Sequence, residues 1–265
     1  MIPIIDTHTH LQFPDFDPDR EAVLERARAA GVVQVITLGT DLASSREALA
    51  IAERHPMVFA AAGIHPSEAH LVADGDVAAI DTLIREHSRI RAVGEIGLDF
   101  YWETEHWQAQ YAVFGSMLDL AKGLDYPVVI HNRSAQREME WFFQEAGIAS
   151  LNGVMHCFEG EVADARFYLD MGLHISFTGN ITFRSFRDEA VVRLVPLDRL
   201  LLETDSPFIT PAPHRGGRNE PAFVGHVAAR LAAIHGVPED EIRRITTANA
   251  RRLFGLPDPG TAPEG

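Results

Sequence analysis

Short apolar runs alternate with longer amphipathic stretches along the whole chain. Eight of the runs read as strands: IPIID (2–6), VVQVITLG (32–39), VFAAAGIH (58–65), IRAVGEIG (90–97), YPVVIHN (126–132), GVMHCF (153–158), LHISFTG (173–179) and LLLETD (200–205). Most are nearly continuous in Val, Ile and Leu, the pattern of parallel strands buried on both faces. The stretches between them carry helical spacing. DPDREAVLERARAAG (17–31) opens with an aspartate suited to capping and stops at Gly31, and ASSREALAIAERH (43–55) ends before Pro56. EHWQAQYAVFGSMLDLAKG (105–123), SAQREMEWFFQEAG (134–147), EVADARFYLDMG (161–172) and FRDEAVVRLV (186–195) keep the rhythm. FVGHVAARLAAIHG (223–236) and DEIRRITTANARRLFG (240–255) follow the eighth strand. Strand-then-helix units in this register predict an α/β fold, a (β/α)8 TIM barrel forming a single domain over 1–256. The Pro- and Gly-rich segment 257–265 reads as a frayed tail. No GxGxxG follows the first strand, which argues against a dinucleotide-binding open sheet.

The residues able to bind metal gather at the C-terminal ends of these strands. The first strand runs into Asp6-Thr-His8-Thr-His10, the third ends at His65, and the fourth contains Glu95. The fifth, sixth and eighth end at His131, His156 and Asp205. In a barrel these ends converge on one mouth, where active sites are built. His8 and His10 are two apart, so on an extended segment both rings face the same way. Glu95 is a carboxylate inside an apolar strand, and burying it unpaired is costly. Each residue alone has a bland explanation: a salt bridge for Glu95, a core histidine for His131 or His156, a turn for Asp205 before Pro207. Their coincidence at six strand ends favours a metal site.

Four histidines and two carboxylates exceed the needs of one structural zinc and suit two divalent cations sharing an activated water. Glu95 is the expected bridge and Asp205 the expected general base. Asp6 and Glu203 flank ligands and are candidates to orient them, or simply to bond within the barrel wall. His55, His70, His87, His106, His226 and His235 are expected to be solvated or capping, and His174 to lie at the wrong end of the barrel. His214 is left open. Cys157, next to His156, is expected to point the other way on its strand and to pack.

The formal charge of −15 argues against a broad basic surface for nucleic acid, though not against a nuclease. A single cysteine and an N-terminus without a basic leader segment point to the cytoplasm. No apolar run approaches the roughly 20 residues of a membrane span, and a monomer is expected.

At DTHTHLQF (6–13), AAGIHP (61–66), VGEIGLDF (93–100), PVVIHNR (127–133), MHCFEG (155–160), ISFTGNITF (175–183) and LLLETDSPFITPAPHRGGRNEPAFV (200–224), the sequence resembles the TatD family of metal-dependent deoxyribonucleases, within the amidohydrolase-like superfamily. The resemblance implies metal ligation by His8, His10, Glu95, His131, His156 and Asp205. It also implies 3′–5′ exonuclease or endonuclease action on DNA, single-stranded or at 3′ ends, supported by two ions such as Mg, Mn or Zn. Ser67 stands where the family often has a second histidine after His-Pro. His65 and Arg133 become candidates for substrate phosphate, with Arg184, Arg215 and Arg218 in loops on the same side. Phe100, Tyr101 or Trp102 could stack a base. The alternatives are an amidohydrolase acting on a C–N or ester bond, such as a D-aminoacyl-tRNA deacylase, and a non-catalytic metal-binding module. The only lysine, Lys122, lies on a predicted helix, which removes the lysine-bridged amidohydrolases.

Overall fold

The computed structural model describes residues 2–102 and 105–258, so most of the expected tail lies outside the described residues. Eight parallel strands form one sheet in the order of the sequence: β1 (Ile4–Thr9), β2 (Val32–Leu38), β3 (Val58–Ala62), β4 (Ile90–Asp99), β5 (Val128–Arg133), β6 (Gly153–Met155), β7 (His174–Phe177) and β8 (Leu200–Leu202). The sheet curls into a nearly closed TIM barrel. Its seam joins β1 to the end of β8 through a parallel bridge between Thr9 and Ser206, with Asp205 N donating to His8 O and His10 N to Ser206 O.

Helices α1 (Arg20–Ala29), α2 (Leu42–Arg54), α3 (Asp76–Glu86), α4 (Trp107–Leu124), α5 (Gln136–Glu145), α6 (Val162–Asp170), α7 (Glu189–Leu194) and α8 (Val224–His235) follow the strands, and α9 (Glu239–Phe254) ends the chain. Sequence pattern did not single out α3, although Ile80 and Ile84 turn one buried stripe inward. The expected aspartate cap of α1 is absent. Asp19 occupies the position, but its carboxylate is taken by Arg26 and Arg218 instead of by backbone N–H groups. Asp41, by contrast, caps α2 in a reciprocal box with Ser44.

Two apolar layers hold the fold. The outer layer lies between strands and helices, and the inner layer fills the barrel with Ile5, Ile36, Phe59, Val129, Val154 and Leu201. Leu253 and Phe254 of α9 join the inner layer. Because α9 bonds to Pro3 O and Leu200 O through Thr247 and Asn249, it stops the end of the barrel where the strands begin. The opposite end stays open. Pro257 accepts a bond from Gln34 and Asp258 pairs with Arg251, so the chain is anchored two residues past the domain boundary expected from sequence. No helix among the described residues is long and apolar enough to cross a membrane.

Candidate active site

Regular alternation would not build this site. Ile5 points into the barrel, so strict pleating sends residues 7 and 9 inward and both histidines outward. Between Asp6 and Thr9 the partner strand advances only from Val35 to Thr37, which leaves one extra residue in β1. That one-residue bulge turns His8 and His10 into the mouth. The same device serves β4. From Val93 to Ile96 the partner moves only from Val128 to Ile130. Val93 and Ile96 both face the outer layer, and Glu95 faces the centre.

Glycines make room for this. A Cβ on Gly63 would lie 2.6 Å from the backbone carbon of Gly94, and one on Gly97, whose φ is +148°, would lie 1.9 Å from the carbonyl oxygen of His131. β3, β4 and β5 therefore close tightly around Glu95. On β5 and β6 plain alternation suffices, and Val129 and Val154 put His131 and His156 on the inner face.

The six strand-end residues meet in one place. Glu95, 3% exposed, is the hub. Its Oε1 lies 2.8 Å from His156 Nε2 and 2.9 Å from His131 Nδ1. Its Oε2 lies 3.4 Å from His8 Nε2 and 3.6 Å from His10 Nε2. Asp205 Oδ1 stands 3.6 and 3.5 Å from the same two nitrogens. Three overlapping groups have the spacing to hold a cation: His8, His156 and Asp205; His8, His10 and Glu95; His65, Glu95 and His131. His65 thus belongs beside Glu95, with its Nε2 3.7 Å away.

The residues fit divalent ions. His10 Nδ1 faces Leu38 O at 2.9 Å, so it carries the proton and Nε2 offers a lone pair. His8 Nε2 faces that lone pair at 3.2 Å, while His8 Nδ1 is buried without a hydrogen-bond partner. Two ligands about 2.0 Å from one tetrahedral cation stand roughly 3.3 Å apart. Burial and the nearby His156 lower the pKa of His8, which favours the neutral ring a metal requires. Burial raises the Glu95 carboxyl, but His156, His65, His8 and His131 outweigh it and hold Glu95 well below the usual carboxylate range. Asp205 is balanced in the same way, with burial overcome by His10, His8 and His156. Its backbone is in the left-handed region at φ +55°, which outside glycine is adopted mainly by Asn, Asp and His. The seam bond to His8 O and a bond from Phe208 N to Asp205 O hold it there.

Asp99 escaped the sequence reading. It lies four residues beyond Glu95 on the same strand, and its Oδ2 is 3.1 Å from His131 Nε2. Backbone N–H groups of Tyr101 and Trp102 donate to its other oxygen. Glu203 Oε1 accepts from Cys157 N at 2.7 Å and lies 3.4 Å from His156 Nδ1. Asp6 bonds to Thr204 and to the backbone N of His8, never to a ring, and burial raises its pKa to about 8. It is a seam residue.

One expectation needs correction, and one residue left open is now placed. Cys157 does not alternate with His156, because β6 ends at Met155 and Cys157 adopts φ +45°. It lines the same hollow as His156 and Asp205. Burial, then Asp205 and Glu203, push its thiol well above its ordinary value, which disfavours the thiolate. His214 stacks on Phe223 and approaches His226, outside the cavities that contain the cluster. The arginines divide. Arg133 lies over Tyr101 and Trp102 and lines the mouth, and Arg215 lies over Phe183 at its edge. Arg218 is spent on Asp19 and Asp15, and Arg184 faces a separate hollow.

Comparison with known proteins agrees across nearly the whole chain. The model of the family described as TatD related DNase matches residues 5–255. The uncharacterized metal-dependent hydrolase YabD of Bacillus subtilis is 39% identical over 96% of this chain and 99% of its own. A protein of Erwinia amylovora called 3′-5′ ssDNA/RNA exonuclease TatD is 35% identical over 96% of this chain and all of its own. The crystal structure of the TatD homologue YjjV of Escherichia coli superposes with a TM-score of 0.90 at 33% identity, covering 97% of this chain and 100% of that one.

Proposed function

Because the chain belongs to the TatD-related DNase family, a family of metal-dependent hydrolases acting on ester bonds, we propose that it hydrolyses phosphodiesters of single-stranded nucleic acid, as a 3′–5′ exonuclease or an endonuclease. The observation that carries this reading is Glu95, whose two carboxylate oxygens face two separate pairs of imidazoles. A carboxylate so shared suits two divalent cations. His8, His10 and Asp205 would hold one side, His131 and His156 the other, and Glu95 both. His65, in the third group, is a further ligand or a contact to substrate phosphate.

Bound there, the cations supply Lewis acidity, acidifying water and drawing charge from a phosphoryl oxygen. The remaining work falls to side chains. Asp205, ionised and lining the cavity, accepts the proton of the attacking water on its carboxylate. Asp99 fixes the ring of His131 through Nε2, and Glu203 borders His156 Nδ1. Arg133 offers a forked donor to a phosphate beside the scissile one.

The test compares a single-stranded DNA oligonucleotide with a D-aminoacyl ester, each with chelator and with Mg, Mn or Zn restored. Cleavage of the oligonucleotide that stops on chelation and returns with metal is the expected result. Turnover of the ester alone would replace this reading with a deacylase.

A further inference from the structure

Scattered exposed hydrophobic side chains are ordinary, but several gathered at the rim of one cavity mark a binding site. Among the described residues six large hydrophobic side chains are exposed, and three of them border the catalytic mouth. Trp102 and Phe208, 70% and 51% exposed, line the cavity of about 510 Å³ that contains Glu95, His131 and Asp205. Tyr101 lines the adjoining hollow with Arg133.

They stand on different loops. Trp102 follows β4, where its backbone N–H and that of Tyr101 are fixed by Asp99, the residue that also holds His131. The guanidinium carbon of Arg133 lies 5.4 Å from its ring centre and 4.5 Å from that of Tyr101. Phe208 follows β8, three residues after Asp205. Phe13 braces it edge-on at 6.1 Å and is itself stacked at 4.7 Å on His10. Each ring is thus tied to a residue of the cluster, one through Asp99 and His131, the other through Phe13 and His10.

We propose that Trp102 and Phe208 form a clamp for one unstacked nucleobase, holding the nucleotide whose phosphodiester is attacked at the Glu95–Asp205 centre. The proposal rests on the phosphodiesterase reading and narrows its substrate. A ligand recognised by phosphate alone needs cations and donors, which Arg133 and ions held by the imidazoles would provide; it does not need exposed rings. Aromatic faces accept any base, so the clamp predicts little sequence preference. A base inside a duplex already has both faces covered, so the clamp selects single strands and frayed ends.

The test uses a single-stranded oligodeoxynucleotide and the same strand with abasic residues at the cleaved end. The phosphates are identical and only the bases differ. In the wild type, kcat/KM for the base-bearing strand exceeds that for the abasic strand by about 5- to 100-fold, the range that stacking on an aromatic ring supplies. Trp102→Ala and Phe208→Ala each pull that ratio toward one, mainly through KM, while Trp102→Phe and Phe208→Tyr retain it. Metal content, measured in parallel, stays at the wild-type level in all four. A wild-type ratio near one, or alanine variants that keep the wild-type ratio, would overturn the clamp and leave the phosphodiesterase intact. Hydrolysis of neither strand at any metal concentration would overturn both.

Discussion

Replacing Glu95 with Gln preserves the volume of the side chain and removes its charge. In the protein, one carboxylate oxygen is 2.8 and 2.9 Å from His156 and His131, and the other 3.4 and 3.6 Å from His8 and His10. Glutamine keeps only one oxygen. Whichever way its amide turns, one pair of imidazoles faces an NH2, which has no lone pair for a cation. One half of the site loses a shared ligand, and both halves lose the charge. A unit charge 4 Å from another is worth about 4 kcal/mol at an effective dielectric of 20, or roughly a thousand-fold in a binding or rate constant. We therefore expect the weaker-held ion to be lost on dialysis and kcat/KM on a single-stranded oligonucleotide to fall by about three orders of magnitude. Elemental analysis of the dialysed variant and initial rates at saturating metal read the two effects separately. Wild-type metal stoichiometry with turnover within about ten-fold would refute the shared-ligand argument and reduce Glu95 to a brace for the imidazoles.

Three other outcomes follow from particular contacts. Asp205→Asn should cut turnover by about 100-fold or more while metal content changes far less; parallel loss of both would make Asp205 a ligand only. Gly97→Ala places a methyl 1.9 Å from His131 O at φ +148°, so Tm should fall by several degrees and activity with it; an active variant of unchanged Tm would contradict the close approach of β4 and β5. His174 is 6% exposed, and burial, then the nearby Arg199, lowers its pKa to about 4. Above pH 6.5 it is neutral whether folded or not and adds no pH dependence. As pH falls from 6.5 to 4 the unfolded chain takes up a proton that the folded chain refuses, and about 3 kcal/mol of stability is lost. Urea unfolding at several pH values should show this slope flattened in His174→Leu, and an unchanged slope would count against a buried neutral ring.

Strand positions were legible because most of the runs are short, apolar and rich in Val, Ile, Leu or Ala between helical stretches, and the observed strands start within two residues of the expected ones. The cluster of side chains was legible because chemistry-bearing residues recur at strand ends. What could not be read was how they aim. The bulges at residues 6–9 and 93–96 reverse the pleat locally, and no periodicity announces an inserted residue. VGEIGLDF shows the glycines, yet their purpose emerges only against the backbones of β3 and β5. Asp99 was missed for the same reason. Its value lies in the ring of His131, 32 residues later, and it reads locally as the end of a strand. Cys157 misled because alternation was carried past the point where β6 stops.

The seam of the barrel and the site are one structure, and this makes a prediction about metal removal. β1 and the segment after β8 share only an isolated bridge, where every other pair of neighbouring strands forms a ladder of two or more paired residues. Their contact depends on Asp6 with Thr204, Thr9 with Ser206, and the backbone bonds of His8, His10 and Asp205. A cation held by His8 on one side and Asp205 on the other would tie the weakest joint in the sheet. At a metal concentration 100 times Kd, such binding adds about 2.7 kcal/mol, on the order of 5–10 °C in Tm for a chain of this size. Chelation should therefore lower Tm and raise amide hydrogen exchange first in residues 4–10 and 202–207, before the ladders of β2 to β7 respond. Exchange that rises evenly around the barrel would mean that the ions stabilise the fold without closing it, and the link between seam and site would fall.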